Sequence, residues 1–300
     1  MKILKASDIR FKKRSPSSHK GDHGRVLVVG GSEQYVGAAA LCGLAALRSG
    51  CDWATVAAPE KVAWAINCLT PDLVTVKLKG ARLTDLHRER ILNLMKTHDV
   101  LALGNGIGMH PQTNTLVHRL IRQVKNSGKP MVIDADALKM ISLDEVSNTI
   151  LTPHAKEFRT LMEHSGIKQY GESGSGYKSL RNEIPWKAVQ KKLKGTVILL
   201  KGPTDFIVSR DAIIANTMHD PSMTVAGTGD VLAGLCAGFL AQGYPLFKSA
   251  CMGAYFNGLT GKILAGKKKY PSLIASDIVQ DIGGILERRQ TFEQRFKKNQ

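Results

Sequence analysis

Short apolar runs alternate along this chain with segments of helical periodicity, and this alternation strongly restricts the folds that it can adopt. Apolar runs that are too short for helices, and that are joined through helical segments, are typical of parallel strands buried on both faces. The pattern therefore predicts an α/β fold with a central, mostly parallel sheet and helices on both faces. The predicted strands are residues 25–29, 53–57, 100–103, 131–133, 150–151 and 197–200, followed by a hairpin of 206–208 and 212–214. The clearest helical segments are 37–49 and the long patterns that run from Asp230 to the end of the chain.

Glycines and charged residues cluster directly after the predicted strands. In sheets of this kind, ligands bind at the carboxyl ends of the strands. We therefore expect the functional site at that edge of the sheet. The residues at these positions are Gly30-Gly31-Ser32, Gly104 to Gly108, Asp134, Asp136, His154, Glu157 and Lys201-Gly202.

The length of 300 residues fits one large domain or two ordinary ones, but no proline- or glycine-rich linker divides the chain. We therefore predict a single domain over residues 1–300, with basic termini at 1–20 and 288–300. No run of about 18 apolar residues occurs, so no membrane span is expected. The basic N-terminal residues lack an apolar segment, so they do not match a secretory signal.

The formal net charge of +17 would suit a nucleic-acid-binding protein. However, the basic residues are spread along the chain, and only 6% of the residues are aromatic, so the two types are not interleaved. We therefore expect a solvated basic surface that attracts small polyanions, and no specific nucleic-acid binding.

The five cysteines are scattered and include no C-x-x-C pair. This spacing does not favour a zinc site, and several of the cysteines lie in apolar segments. We expect buried free thiols in a reducing cytosol, and hence a cytoplasmic protein. The cysteines are Cys42, Cys51, Cys68, Cys236 and Cys251.

Residues 225–234 place one carboxylate, Asp230, among small residues at the point where a long apolar helix begins. Glycines leave backbone N–H groups unobstructed, and a helix N-terminus directs these donors outward with a partial positive charge. The combination predicts an anion site, above all for phosphate. A carboxylate beside a phosphate is unfavourable unless it has chemistry to do, so Asp230 is predicted to accept a proton from a hydroxyl that attacks phosphorus.

Asp230 also has a structural interpretation, because aspartate caps helix N-termini and suits the helix dipole. The density of small residues on both sides favours the functional interpretation. Those before Asp230 clear space at the mouth of the helix. Those after it are expected to let the helix pack closely against the sheet, and they are Ala233, Gly234, Ala237 and Gly238.

Two familiar nucleotide-binding signatures are absent. The chain has no G-x-x-x-x-G-K-[ST] segment, and the third glycine of Gly104 to Gly108 comes one residue too early for a Rossmann fingerprint. This loop either lets a ligand approach the backbone or makes a tight strand-to-helix turn. Likewise, Gly30-Gly31-Ser32 and residues 37–40 either pack a helix on the sheet or form a flat floor for a ring.

His154 and Glu157 lie three residues apart at a predicted helix start, and hence on one face. Glu157 can match the dipole or complete a capping arrangement, or it can hold Mg²⁺ through water near nucleotide phosphates. His154 can donate a hydrogen bond to a substrate. Taken alone, both residues favour the structural interpretation, and their place at a strand end strengthens the functional one.

The segment 201–205, Lys-Gly-Pro-Thr-Asp, follows a strongly apolar strand. Lys201 can meet a phosphate, Gly202 allows close approach, and Thr204 offers a hydroxyl. A plain turn between two strands explains the glycine and the proline equally well.

Taken in order, these segments resemble the ADP/ATP-dependent NAD(P)H-hydrate dehydratases, a branch of the ribokinase-like superfamily. The similarity extends over about residues 20 to 285. It depends on the whole set of segments, because each segment alone is only weak evidence for the family. The Gly-Asp helix start, for example, is shared with many ribokinase-like kinases. The matching segments are 20–32, 35–39, 104–108, 132–138, 152–158, 201–202 and 226–234.

The resemblance implies a ribokinase-like fold and a repair reaction on the S-epimer of the hydrates of NADH and NADPH (NADHX and NADPHX). Members phosphorylate the hydroxyl of the hydrate with ADP or ATP, and phosphate then leaves to restore the double bond. By the same resemblance, Asp230 is the catalytic residue, and Gly227, Thr228 and Gly229 form its anion hole. The other implied contacts are Ala39, Gly106, His154 and Asp230 with the hydrate, Lys201, Gly202, Pro203, Thr204, Asp205 and Gly229 with the nucleotide, and Glu157 with Mg²⁺.

The chain departs from the family at Asn105, where members commonly carry proline. Many relatives also carry an N-terminal epimerase domain, whereas about twenty residues precede the matched region here. We therefore expect action on one epimer, with a separate epimerase or spontaneous exchange supplying it. The resemblance further suggests a homo-tetramer.

Two other functions are compatible with the sequence. One is a ribokinase-fold kinase of a vitamin precursor, which releases a stable phosphorylated product. The other is a basic nucleotide- or nucleic-acid-binding protein whose site has decayed, which the intact residues 227–230, Lys201 and Glu157 disfavour.

Overall fold

The computed structural model describes residues 1–167, 184–267 and 272–298. The glycine-rich segment 171–177, to which the sequence assigns no role, lies outside the described residues. Within them, ten strands form one sheet in the order β1-β10-β9-β8-β7-β6-β5-β2-β3-β4. The strands are β1 Lys2–Ile3, β2 Arg25–Val29, β3 Trp53–Pro59, β4 Val74–Leu78, β5 Val100–Leu103, β6 Met131–Ile133, β7 Thr149–Leu151, β8 Thr196–Leu200, β9 Asp205–Val208 and β10 Ile213–Asn216.

All strand pairs are parallel except those of β9, which runs antiparallel to both β8 and β10. This mostly parallel sheet confirms the predicted α/β class. The described helices are α1 Val36–Arg48, α2 Glu60–Leu69, α3 Arg88–Met95, α4 Pro111–Asn126, α5 Ala155–His164, α6 Trp186–Lys192, α7 Thr228–Ala241, α8 Leu246–Lys267 and α9 Ala275–Lys298.

Successive side chains of a strand point to opposite sides of the sheet, so both faces of this sheet are apolar. Helices cover both faces and bury these side chains. On strand β2, Val26 and Val28 belong to the core under α1, α2, α7, α8 and α9. Leu27 and Val29 belong to the core under α3, α4, α5 and α6. Continuous apolar strands, buried on both faces, are therefore the reason for the runs seen in the sequence.

The strand register brings several strand ends to one edge. Val29 pairs with Leu103, Leu103 with Ile133, Ile133 with Leu151, and Leu151 with Ile198. The residues that follow these strands consequently lie side by side, as we expect from their positions in the sequence.

All predicted strands are confirmed, with bounds that differ by at most two residues. Strands β1 and β4 were not predicted. β1 has two residues, and β4 reads Val-Thr-Val-Lys-Leu with only Leu78 buried, so it lacks the continuous apolar run of the inner strands. Its position at the sheet edge explains this composition, because an edge strand has fewer neighbours to cover it.

The small residues of α7 pack on a helix as well as on the sheet. Helix α7 lies close to strands β2, β5 and β6, as we expect from the sequence, but Gly234 and Gly238 meet helix α1. A Cβ atom at Gly234 would overlap the carbonyl oxygen of Cys42, and one at Gly238 would lie 2.6 Å from the carbonyl oxygen of Ala46. The glycines are needed because two helices in the same layer approach each other at backbone distance.

The cysteines are free thiols, and four are buried while Cys68 is exposed, contrary to the expectation of burial for all. None of the helices in the described ranges is both long enough and apolar enough to span a bilayer.

Candidate active site

Helix α7 begins at the anion site predicted from the sequence. Gly227 caps it with φ of +93°, a left-handed conformation that favours glycine. The first intrahelical hydrogen bond is donated by Val231 N to Gly227 O at 3.0 Å. The N–H groups of Thr228, Gly229 and Asp230 therefore have no acceptor within the helix. Three donors at the positive end of a helix dipole form a site suited to a phosphoryl group.

The side chain of Thr228 is turned away from this site. Its Oγ1 donates to the carbonyl oxygens of Met223 and Val225, both at 3.1 Å. These bonds fix the turn that precedes α7, so Thr228 can offer the site its backbone N–H rather than its hydroxyl.

Asp230 is half-buried in the first turn of α7, and its carboxylate turns toward the loop after β5. Its Oδ1 accepts a hydrogen bond from Asn105 Nδ2 at 2.7 Å. Burial and the nearby charge of Asp134 raise the pKa of Asp230 to about 6, against the lowering effects of Asn105 and Lys201. A carboxylate with a pKa near neutrality is able to accept a proton from a hydroxyl, whereas a capping aspartate needs no such shift.

A buried polar network supports Asp230 from behind. Asp134, at the end of β6, is 2% exposed and accepts hydrogen bonds on both oxygens. Asn105 Nδ2 donates to its Oδ2 at 3.0 Å, and Thr152 Oγ1 and Lys201 Nζ donate to its Oδ1 at 2.7 and 2.8 Å. The network joins the ends of strands β5, β6, β7 and β8 into one rigid unit.

Lys201 places a positive charge against the first turn of α7. A Cβ atom on Gly229 would lie 3.2 Å from Lys201 Nζ, so the ammonium group borders the predicted anion site. Burial opposes the charged form, but Asp134 and Glu157 outweigh it and raise the pKa of Lys201. The lysine is therefore charged, and it belongs to the carboxylate network as well as to the anion site.

His154 and Glu157 form a capping box at the start of α5. Glu157 Oε2 accepts from His154 N at 2.9 Å, and His154 Nδ1 accepts from Glu157 N at 3.3 Å. The capping arrangement that the sequence left open is thus present. Burial works in the opposite direction, but hydrogen bonds from His154 and the charge of Lys201 hold the pKa of Glu157 below its ordinary value.

The fit of a metal ion can be judged from these contacts. Glu157 is 5% exposed, its Oε2 lies 3.9 Å from Lys201 Nζ, and its Oε1 lies 3.2 Å from His154 Nε2. Across the described ranges, no group of three or more His, Cys, Asp or Glu residues could hold a metal ion. These parts of the chain therefore offer no preformed metal site, and Glu157 suits contact through water with an ion that is already bound to the phosphates of a nucleotide.

The segment 201–205 is closed by Asp205. Gly202 N donates to Asp205 Oδ1 at 3.1 Å, and Asn216 Nδ2 donates to Asp205 Oδ2 at 3.0 Å. Burial raises the pKa of Asp205 to about 6 despite these hydrogen bonds. The turn interpretation of this segment is therefore correct, and the turn also forms part of a cavity wall.

A cavity of about 530 Å³ lies in front of α7 and the 201–205 turn. Its size suits a small-molecule ligand of nucleotide dimensions. The predicted site residues that line it are His154, Lys201, Gly202, Pro203, Asp205, Thr228 and Gly229.

Ala39 and Gly106 are not among the described residues that line this cavity. Ala39 has no exposed surface, and Gly106 is buried with φ of +67°. A Cβ atom at Gly106 would lie 2.7 Å from the Cβ of Tyr35, so this glycine lets the loop after β5 pack on the start of α1. Contact of either residue with a substrate stays a prediction.

Sequence reasoning missed several residues of the site. His219 and Asn257 line the cavity, and neither stands in a recognisable motif. Asn105 and Asp134 were noted only as a family departure and as a strand-end residue. The strand-end position was a usable signal for both, but their contact with Asp230 is visible only in three dimensions.

The family model for NAD(P)H-hydrate dehydratase matches residues 26–283. A bifunctional NAD(P)H-hydrate repair enzyme of Pyrobaculum aerophilum is 38% identical over 281 residues, which cover 93% of this chain and 54% of that protein. The chain thus spans about half the length of the first curated relatives that it matches. An ADP-dependent (S)-NAD(P)H-hydrate dehydratase of Nitrosopumilus maritimus is 34% identical over 91% of this chain and 92% of its own.

Solved structures share the fold. A ribokinase-like superfamily protein of Enterococcus faecalis superposes with a TM-score of 0.80 at 25% identity, covering 96% of both chains. An ADP/ATP-dependent NAD(P)H-hydrate dehydratase of Bacillus subtilis, co-crystallised with ATP and Mg²⁺, gives a TM-score of 0.77 at 23% identity, covering 96% of this chain and 98% of that one. The chain therefore has the ribokinase-like fold.

Proposed function

Because this chain belongs to the NAD(P)H-hydrate dehydratase family, we propose that it regenerates NADH and NADPH from the S-epimers of their hydrates in a nucleotide-dependent reaction. The observation that carries the proposal is the pairing of Asp230 with the N-terminus of α7. A carboxylate with a pKa of about 6 stands directly beside backbone donors suited to a phosphoryl group. This pairing is what transfer of phosphate to a hydroxyl requires.

In the first step, Asp230 accepts the proton of the hydrate's hydroxyl while the oxygen attacks the terminal phosphorus of the nucleotide. An oxygen–phosphorus bond forms, and the bond between that phosphorus and the bridging oxygen of the nucleotide breaks. The N–H groups of Thr228 and Gly229 and the charge of Lys201 stabilise the negative charge of the transferring group. The nucleotide leaves with one phosphate fewer.

In the second step, the phosphorylated hydroxyl leaves as inorganic phosphate. The lone pair of the ring nitrogen assists the cleavage of the carbon–oxygen bond, and loss of a proton from the adjacent ring carbon restores the double bond. Phosphorylation is needed because hydroxide is a poor leaving group and phosphate is a good one. The chemistry is a lyase reaction coupled to consumption of a nucleotide.

We assign the nucleotide to the cavity lined by Lys201, Gly202, Pro203 and Asp205, with Thr204 in the same turn. ADP or ATP is the donor, in agreement with the ADP named for the Nitrosopumilus relative. Mg²⁺ would enter on the phosphates and neutralise their charge, with Glu157 reaching it through water. The remaining contacts of the hydrate, Ala39, Gly106 and His154, are assigned by resemblance.

The direct test incubates the protein with NADH hydrate, Mg²⁺ and either ADP or ATP. We expect the absorbance of NADH to recover, with an equal amount of inorganic phosphate released. A phosphorylated product that accumulates without phosphate release would instead indicate a kinase of the ribokinase type. Oligonucleotide binding that weakens with salt, without turnover, would indicate a binding protein.

Replacement of the proposed base tests the role of Asp230. Asp230→Asn should lower kcat by about 10²- to 10⁴-fold, because the amide cannot accept the proton. The affinity for nucleotide, measured by calorimetry, should change little. Asp211→Asn, at an exposed turn of the β9–β10 hairpin, is the matched control and should keep full activity. Near-normal turnover of Asp230→Asn would rule out Asp230 as the catalytic base.

Three further parts of the proposal concern context. A separate epimerase would supply the S-epimer, an association that the bifunctional name of the Pyrobaculum relative supports. We propose a cytoplasmic location, where buried thiols stay reduced. We also propose a homo-tetramer, which light scattering of the purified protein would test.

A further inference from the structure

We propose that Asn105 is the positioning residue of this site: its side-chain amide holds the carboxylate of Asp230 in the orientation needed to meet the substrate hydroxyl. The kinetic part of this inference rests on the proposed function. The structural part does not, because it concerns a contact between two residues of the folded chain.

The amide of Asn105 bridges two carboxylates. Its Nδ2 donates to Asp230 Oδ1 at 2.7 Å and to Asp134 Oδ2 at 3.0 Å. Both N–H bonds of the amide are thereby used, one for each carboxylate. The side chain is 1% exposed, so water does not compete for these bonds.

The bridge leaves the other end of the amide without a partner. Asn105 Oδ1 is buried and has no hydrogen bond within the described residues. A buried unsatisfied oxygen is unfavourable. The reverse orientation of the amide would be worse, because it would place this oxygen against two carboxylates. The contact with Asp230 and Asp134 therefore dictates how Asn105 is placed.

The backbone holds Asn105 firmly enough to act in this way. Its carbonyl oxygen accepts from Gly31 N at 2.8 Å, which ties the loop after β5 to the end of β2. A Cβ atom on Gly30 would overlap the same carbonyl oxygen, so the two loops are in direct contact. Asp134 is fixed in turn by Thr152 and Lys201. Asp230 is thus held by a rigid partner on a rigid support.

Charged and titratable groups surround Asp230 on several elements. Asp134 after β6 and Glu157 on α5 raise its pKa, while Lys201 after β8 and Asn105 lower it. The thiol of Cys42 on α1 also faces it, and burial together with Asp230 and Asp134 raises the pKa of that thiol well above its ordinary value. Cys42 therefore stays neutral and adds no charge beside Asp230. Among these groups, the neutral amide of Asn105 donates the hydrogen bond that Asp230 Oδ1 accepts.

The first test follows the titration of Asp230 itself. In protein with ¹³C-labelled aspartate carboxyls, the Asp230 resonance is identified by its loss in Asp230→Asn. Asn105→Leu, which has similar size and no donor, should move its titration to higher pH by about one pH unit. Ile107→Val, a conservative change in the same loop, should leave the titration in place.

The second test is kinetic. Asn105→Leu should lower kcat about 10- to 100-fold on the high-pH plateau, because a hydrogen bond to a charged group has been removed. KM for the nucleotide should stay within about twofold, and the acidic limb of the pH profile should move upward with the titration. A side chain that only supports the fold would alter stability without moving this limb.

Asn105→Asp keeps the proposal testable if Asn105→Leu does not fold, as judged by near-UV circular dichroism. This variant retains the shape of the side chain and replaces the bridging donor by a third carboxyl group. It should therefore also raise the pKa of Asp230. Unchanged titration and unchanged kcat in the folded variants would overturn the proposal. An upward shift in a protein that does not restore NADH would keep the role of Asn105 and reject the proposed function.

Discussion

The carboxylate of Asp230 is unfavourably placed in the folded protein, and the same placement suits it to the role of base that we propose. Its pKa of about 6 lies above the value of an unfolded aspartate, near 3.9. The folded state therefore binds the proton more tightly than the unfolded state does. The contribution of Asp230 to stability is most favourable below about pH 4 and is lost as the pH rises through 6.

Asp230→Asn should consequently stabilise the protein at pH 8, where the wild-type side chain is ionised. We expect a gain of about 1–2 kcal/mol, which is less than the full pKa shift implies because the side chain is only half-buried. Thermal unfolding at pH 8 and pH 4 measures the difference, which should vanish at pH 4. Asp211→Asn serves as the control. If the melting temperature of Asp230→Asn at pH 8 is equal to or below that of the wild type, ionised Asp230 does not destabilise the folded protein.

Single residues of the site were predictable only where their surroundings in sequence are informative. Asp230 stands in a glycine-rich helix start, so a catalytic role could be proposed for it from its neighbours in the sequence. Asn105 is separated from Asp230 by 125 residues and from Asp134 by 29, and nothing local indicates that its amide joins them. Contacts of this kind depend on strand order and register, which a single sequence does not specify.

At the level of elements, the packing of α7 on α1 helps to determine where the proposed anion site lies. The two helices approach at backbone distance at Gly234, where a Cβ atom would overlap the carbonyl oxygen of Cys42. Strand positions were predictable because apolar runs buried on two faces are distinctive. The contact of α7 with α1 was not predictable in addition to its contact with the sheet, since small residues allow close approach to either a helix or a sheet.

Gly234→Ala should destabilise the protein by about 1–3 kcal/mol, because the new methyl group forces the two helices apart. Gly284→Ala is the matched control in the exposed interior of α9, where a Cβ atom meets nothing within 4 Å. It should stabilise by about 0.5–1 kcal/mol through helix propensity. Denaturant unfolding of both variants measures the difference. Equal effects would mean that the approach of α7 to α1 is not tightly packed.

At the level of the whole molecule, we propose a role for the net charge of +17 that does not require nucleic acid. A positive surface raises the local concentration of polyanions such as a nucleotide and speeds their association. The attraction of nucleotides to this surface is a prediction from composition, and composition does not say which cavity benefits from it. The cavity bordered by Lys201 and the N-terminus of α7 is the site that we assign to the anion.

Salt should therefore weaken the use of the nucleotide. Between about 20 and 300 mM NaCl, we expect kcat/KM for ADP or ATP to fall about 3- to 10-fold through screening. Binding of uncharged adenosine, measured over the same range, is the control and should change little. A kcat/KM that does not respond to salt would show that the surface charge serves another purpose.

The central claim is that the hydroxyl of the hydrate is itself phosphorylated and then leaves with the phosphate. NADH hydrate prepared in oxygen-18 water carries the label in this hydroxyl, and mass spectrometry of the released phosphate follows it. We predict that each NADH restored releases a phosphate that contains the labelled oxygen, because the carbon–oxygen bond breaks after the oxygen–phosphorus bond has formed. Unlabelled phosphate, with the label found in water, would contradict it, since dehydration would then proceed without phosphorylation of the hydroxyl.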